Sequence, residues 1–160
     1  MSKTITALKT LILAGVLATA TGLTAARAAE CPAGKVGVDV TKPVDTKASG
    51  VTDDVLASLD VAKEPIAIPG RSFRIRRLVV QPGGVVPWHD HANRPALIYI
   101  VSGEITEYRS TCAVPLTHKA GEVAVESHTV KHWWKNNSRK PTVLISDDHF
   151  PVEMKDDHIM

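Results

Sequence analysis

Pro82-Gly83-Gly84-Val85-Val86-Pro87-Trp88-His89-Asp90-His91 decides how this chain is read. Alternate residues of an extended strand share one face, so His89 and His91 present both imidazoles to the same side and meet a single metal ion. A lone H-x-H pair is weak, because one histidine is more often a surface or hydrogen-bonded residue than a ligand. A second segment, from Gly121 to Asn136, raises it by ending in a third histidine, His132, on another predicted strand. His128 and His132 at i and i+4 would also suit a helical zinc pair, but Thr129, Val130 and Trp133-Trp134 favour strand, which leaves His128 as a loop residue near the pocket.

Working outward, the sequence is a series of short runs rich in Val and Ile, divided by Pro and Gly: Phe73 to Val80, Val85 to His89, Ala96 to Val101, Glu104 to Tyr108, Glu122 to Val125, His132 to Lys135 and Thr142 to Ser146. Such spacing predicts an all-β antiparallel sandwich or barrel. Residues 29–60 read as an N-terminal arm closed by one short helix, since Thr52-Asp53-Asp54 is a helix-start signal and Val55, Leu56 and Leu59 fall on one side of the turn that follows. Residues 61–160 then form the barrel.

The two histidine segments resemble the cupins. Their first motif, G-x5-H-x-H-x(3,4)-E-x6-G, finds Gly83, His89, His91 and Gly103 here. The second, G-x5-P-x-G-x2-H-x3-N, finds Gly121, His132 and Asn136 in register, with Ser127 and Thr129 where the family has Pro and Gly. The resemblance implies a small double-stranded β-helix (jelly-roll) barrel with a divalent transition metal (Fe, Mn, Ni, Cu or Zn) in its mouth, held by His89, His91 and His132.

One departure matters: Ala96 stands where the family motif has a metal-binding Glu. One reading is a decayed site on a surviving barrel. The other is a three-histidine centre, in which neutral imidazoles leave the ion its full charge and open positions, favouring an anionic or bidentate oxygen ligand. We prefer the second, because three unpaired imidazoles in a pocket are costly without a partner. Asp90 alternates outward. Glu104 and Glu107 are expected to lie too far off, beyond the turn at Gly103, which leaves Glu126 as the nearest substitute carboxylate. Strand parity puts Trp134 and Asn136 on the face of His132, and Ile98 and Ile100 inward after Ala96, as an apolar wall for a small organic ligand. Arg74, Arg76, Arg77 and Arg94 read as a solvated strand face with a loop arginine; Arg94, if turned toward the metal, would hold a substrate carboxylate by a bidentate pair. His118, His149 and His158 have no spacing partner and default to the surface.

Lys3 and Lys9 before the apolar run Thr10 to Leu23, followed by Ala26 and Ala28, form a secretory signal over residues 1–28. The run is too short and too rich in Ala, Thr and Gly for a membrane anchor. The whole chain has 160 residues, Lys+Arg 19 against Asp+Glu 17 and a net charge of +2. Cleavage after Ala28 removes three basic residues and no acid, giving 16 against 17 and a net charge of −1 over 132 residues. Nothing then suggests a nucleic-acid footprint or an anionic-membrane patch. Secretion, or a periplasmic location in a Gram-negative source, makes a Cys31–Cys112 disulfide the plain reading of the two cysteines. Small barrels of this kind expose strand edges, which predicts a homodimer.

The functional expectation is an exported small-molecule-binding protein with a three-histidine metal site, acting as a dioxygenase, isomerase or decarboxylase on a small anionic or chelating substrate. The alternatives are a non-catalytic metal- or ligand-binding protein of the same pocket and a purely structural barrel.

Overall fold

A computed structural model describes residues 29–37 and 47–153. The expected signal segment, residues 1–28, and His158 lie outside the described residues. The chain forms β1 (Ser49–Asp60), a 3-10 turn (Val61–Lys63), β2 (Arg71–Asp90), β3 (Ala96–Ser102), β4 (Glu104–Arg109), β5 (Leu116–Lys119), β6 (Val123–Glu126), β7 (Lys131–Lys135) and β8 (Thr142–Pro151). Every pairing between them is antiparallel, in the order β5-β4-β7-β2-β8-β3-β6 with β1 on the other edge of β2. The spacing of the apolar runs predicted an antiparallel sandwich or barrel, and the structure is the double-stranded β-helix (jelly-roll) barrel that the cupin resemblance implied.

Strand β2 organises the barrel. Its first half pairs with β1 and β8, and its second half pairs with β7. The switch falls at Gly83-Gly84, where the strand passes so close to its neighbours that a Cβ on Gly84 would stand 2.8 Å from the carbonyl oxygens of both Gln81 and Gly50. Only glycine fits there. Register carries the first half of β2 to the level of the histidines: Arg74 lies opposite Asp148, Asp148 opposite Ala96 and Ala96 opposite Glu126, whose carboxylate stands 3.4 Å from His132 Nδ1.

Inward positions alternate along each strand, and they divide into two layers. The lower layer is apolar and packed: Leu78, Val80, Val86, Ile98, Ile100, Ala124, Trp134 and Leu144 are all buried. The upper layer, continuing the same inward rows, holds buried polar side chains: Arg74 and Arg76 on β2, Asp148 on β8, Glu126 on β6 and Glu107 on β4. A plug of hydrocarbon therefore supports a charged mouth. On the outer face Leu97, Tyr99 and Val125 stay exposed.

The predicted helix over residues 52–60 does not form. The segment is strand β1, and the only helical turn nearby is Val61–Lys63, where the Asp60 side chain accepts from the Ala62 N–H. Asp53 and Asp54 were read as helix-start acids, but they meet successive arginines of β2: Asp53 pairs inward with Arg76, and Asp54 pairs outward with Arg77. Cross-strand charge pairing overrides local helix propensity here. The sheet consequently begins at Ser49, not after residue 60. Cys31 and Cys112 form a disulfide with a sequence separation of 81, and the Val36–Cys112 bridge ties the arm to the end of β4. A closed loop of that length stabilises the fold by on the order of 4 kcal/mol in the chain-entropy account.

Candidate metal centre

His89 and His91 are fixed by the end of β2 and the turn after it, and His132 by β7, opposite His89 in register. Their Nε2 atoms converge: His89 to His91 is 3.1 Å, His91 to His132 is 3.0 Å and His132 to His89 is 3.0 Å. Each ring's other nitrogen already has an oxygen acceptor. His89 Nδ1 donates to the Pro87 carbonyl at 2.8 Å, His91 Nδ1 to the Arg94 carbonyl at 2.7 Å, and His132 Nδ1 to Glu107 Oε1 at 2.6 Å. These bonds put the proton of each neutral ring on Nδ1 and leave three Nε2 lone pairs aimed at one another. Such an arrangement is repulsive unless a cation lies between the nitrogens. For metal–nitrogen bonds of about 2.1 Å, donors at right angles stand about 3.0 Å apart and tetrahedral donors about 3.4 Å. The observed spacing fits one face of an octahedron, so the residues suit a divalent transition metal with further open positions.

The environment disfavours charge on His89 and His91. Burial lowers the pKa of His91 from 6.5 to about 3, and the neighbouring His132 lowers it further than the Arg94 carbonyl restores. Burial, followed by the charges of His132 and His91, also holds His89 well below 6.5. Groups with depressed folded-state pKa values stabilise the fold above their unfolded pKa and withdraw that support as pH falls toward the folded value. For metal-stripped protein this predicts a loss of stability between pH 6.5 and about 3, on the order of 4 kcal/mol for His91 alone. Melting temperatures measured at pH 7, 5.5 and 4 should fall in that order, and His91→Gln should flatten the series; parallel profiles would refute the assignment.

Behind His132 lies a network the sequence reading missed. Glu107 is fully buried. It accepts from His132, from His118 Nε2 at 2.9 Å and from Arg109 Nε at 2.7 Å. Burial opposes its charge, but the hydrogen bonds from His118 and His132 and the Arg109 guanidinium outweigh burial and hold its carboxyl well below the usual range. Glu107 therefore lies next to the centre and not beyond reach: the β4–β7 register sets it opposite Trp134, on the same inward face as His132. His118 is likewise buried, stacked 4.9 Å from Trp134, and not at the surface. The signal was present as parity, since Glu107 follows the inward Ile105 and His118 follows the inward Leu116. Glu107→Gln keeps the shape but weakens the acceptor, and a metal affinity lower by roughly 10–100-fold in chelator competition is expected.

The other expected residues divide clearly. Trp134 packs edge-on against His132 at 5.6 Å, and Ile98 lies in the apolar layer beneath. Asn136 is buried but turned away from the histidines: its side-chain amide donates to the Val80 and Lys140 carbonyls and shapes the loop before β8. His128 is exposed on the turn between β6 and β7. His149 is half-buried, edge-on to Phe73 at 5.1 Å. Asp90 and Glu104 are exposed, as parity requires. Glu126 stands beside Ala96 in register, and Glu107, Glu126 and His132 form a second group of potential donors. Arg109 occupies both carboxylates, at 2.7 and 3.2 Å.

The arginines overturn the solvated-face reading. Arg74 is 3% exposed and Arg76 2%. Arg74 grips Asp148 with Nε at 3.1 Å and Nη2 at 3.0 Å, and Arg76 reaches the same carboxylate at 3.2 Å. Of the four, only Arg77 is exposed. The upper layer tolerates guanidinium groups because Asp148 and Asp53 face it from the strands on either side of β2.

Residues 76–146, which span the histidine centre, match the Cupin_2 cupin-domain family. The domain is a cupin-fold barrel. A germin-like protein subfamily 2 member 2 of Arabidopsis thaliana is 34% identical over 85 residues, covering 49% of this chain and 39% of the relative. Nectarin-1 of a Nicotiana langsdorffii × Nicotiana sanderae hybrid is 28% identical over 103 residues, 61% of this chain and 45% of the relative. The chain thus spans less than half the length of these curated relatives. Among solved structures, a Cupin_2 domain of an XRE family transcriptional regulator from Enterobacter cloacae superposes with a TM-score of 0.50 at 16% identity, over 64% of this chain and 99% of that one. Oxalate oxidase in complex with the substrate analogue glycolate also gives 0.50, at 21% identity over 72% and 60%. Both likenesses concern the cupin fold alone.

Proposed function

We propose that this cupin is an exported metalloenzyme of the dioxygenase type, acting on a small anionic or chelating substrate at the His89–His91–His132 centre. The observation that carries the reading is the convergence of three Nε2 donors at 3.0–3.1 Å, with Ala96 in place of a fourth, carboxylate donor. A divalent ion held there would supply Lewis acidity and open positions for an oxygen donor. The protein's own share is to fix the three rings through Pro87, Arg94 and Glu107, and to exclude water from below with the Leu78–Ile98–Trp134 layer. The likeness of the barrel to oxalate oxidase supports a small oxygen-rich acid as substrate. Export accords with the oxidised Cys31–Cys112 pair. The exposed Leu97, Tyr99 and Val125 suit pairing of two copies.

Elemental analysis of gently purified protein, followed by oxygen-consumption assays over a panel of small mono- and dicarboxylic acids, tests the proposal. Stoichiometric metal with turnover that disappears in His132→Ala is expected. Ligand retention without turnover would make it a binding protein. No stoichiometric metal, even after reconstitution at neutral pH, would sink the centre itself.

A further inference from the structure

We infer that Arg94 is a carboxylate-binding group for the substrate, set so that a small acid bridges from its guanidinium to the three-histidine centre. This rests on the proposed metalloenzyme reading and gives it a specificity residue. Arg94 comes from the turn between His91 and β3, and it is 6% exposed, folded inward over the upper layer. Asp148 already serves Arg74 twice and Arg76 once, and Arg94 Nη1 reaches it only at 3.5 Å. Among the described residues Arg94 Nε is buried with no hydrogen-bond partner. A buried guanidinium with an open donor edge is costly, and an incoming carboxylate would satisfy it.

Position supports the same assignment. The backbone carbonyl of Arg94 anchors His91 at 2.7 Å, so the guanidinium and the imidazole spring from one turn. Between the arginines and the histidines, the inward position of β3 is Ala96, flanked in register by Asp148 and Glu126. The planar fork of Arg94 matches a carboxylate, and a small diacid offers a second carboxylate toward the histidines, which a single phosphate does not.

Calorimetric titration with malonate, its neutral analogue malonamide and inorganic phosphate tests this, on protein as purified and after chelator treatment. Parent protein should bind malonate and not malonamide. Arg94→Ala and Arg94→Gln should weaken malonate roughly 10- to 100-fold with metal content unchanged, because the residue-94 carbonyl that holds His91 is retained. Arg94→Lys, which keeps the charge without the fork, should fall between. Arg77→Ala on the outer face should bind as the parent does. Malonate affinity unchanged in both the Ala and Gln variants would overturn the assignment, as would phosphate binding at least as tightly as malonate. The two readings fail separately: metal-free protein that still selects malonate through Arg94 keeps the anion site and loses the metal centre, whereas metal-loaded variants that bind malonate like the parent do the reverse.

Discussion

His132→Ala is expected to abolish stoichiometric metal binding. The substitution removes one of three converging donors and also takes the hydrogen bond from Glu107, whose carboxylate is then buried with His118 and Arg109 alone. Losing only an outer partner of a metal-bound histidine lowers affinity by roughly 10–100-fold, so losing the donor itself must exceed that range. His118→Ala provides the comparison, because it breaks the same carboxylate network without touching the Nε2 cluster. Elemental analysis should find metal in His118→Ala and none in His132→Ala. Equal metal content in the two variants would show that the histidine triangle is not the ligand set.

Asp148→Ala should be the most destabilising single change in the upper layer. One fully buried carboxylate there faces three guanidinium groups, from Arg74, Arg76 and Arg94, within 3.0–3.5 Å. Breaking a buried ion pair by deleting one partner costs about 3–5 kcal/mol, because the remaining charge stays out of water. For a barrel of this size that lowers the melting temperature by roughly 10 °C or more. Asp54→Ala removes an ion pair of the same chemistry and length, 3.0 Å to Arg77, but on the half-exposed outer face. Solvent screening limits that loss to about 1 kcal/mol or less. Thermal melts of the two variants should differ sharply; similar melting temperatures would mean that the buried cluster relaxes into solvent.

The sequence made the barrel and its histidines legible for different reasons. Alternation along Ala96–Ile98–Ile100 and Leu78–Val80 set the inward face directly, and the seven predicted runs all fall on strands, two of them on β2 and the others on β3, β4, β6, β7 and β8. His89 and His91 share a face by the same two-residue rule. Strands β1 and β5 escaped notice because their inward positions carry Asp53 and His118, polar residues that look like surface until their partners on other strands are known. The same blindness hid Glu107 and turned Arg74 and Arg76 outward in expectation. A buried charge reads as exposed whenever its counter-ion lies 25 or 74 residues away along the chain.

The continuous run of β2, paired first with β1 and β8 and then with β7, also governs when the protein can complete itself. His132 reaches His89 across 43 residues, and Asp148 reaches Arg74 across 74. Neither the histidine triangle nor the arginine cluster exists until distant strands have found β2, and chains dominated by such non-local pairing fold in milliseconds to seconds. A metal ion that requires the assembled triangle would bind the folded barrel and not the unfolded chain, and would stabilise the barrel by mass action.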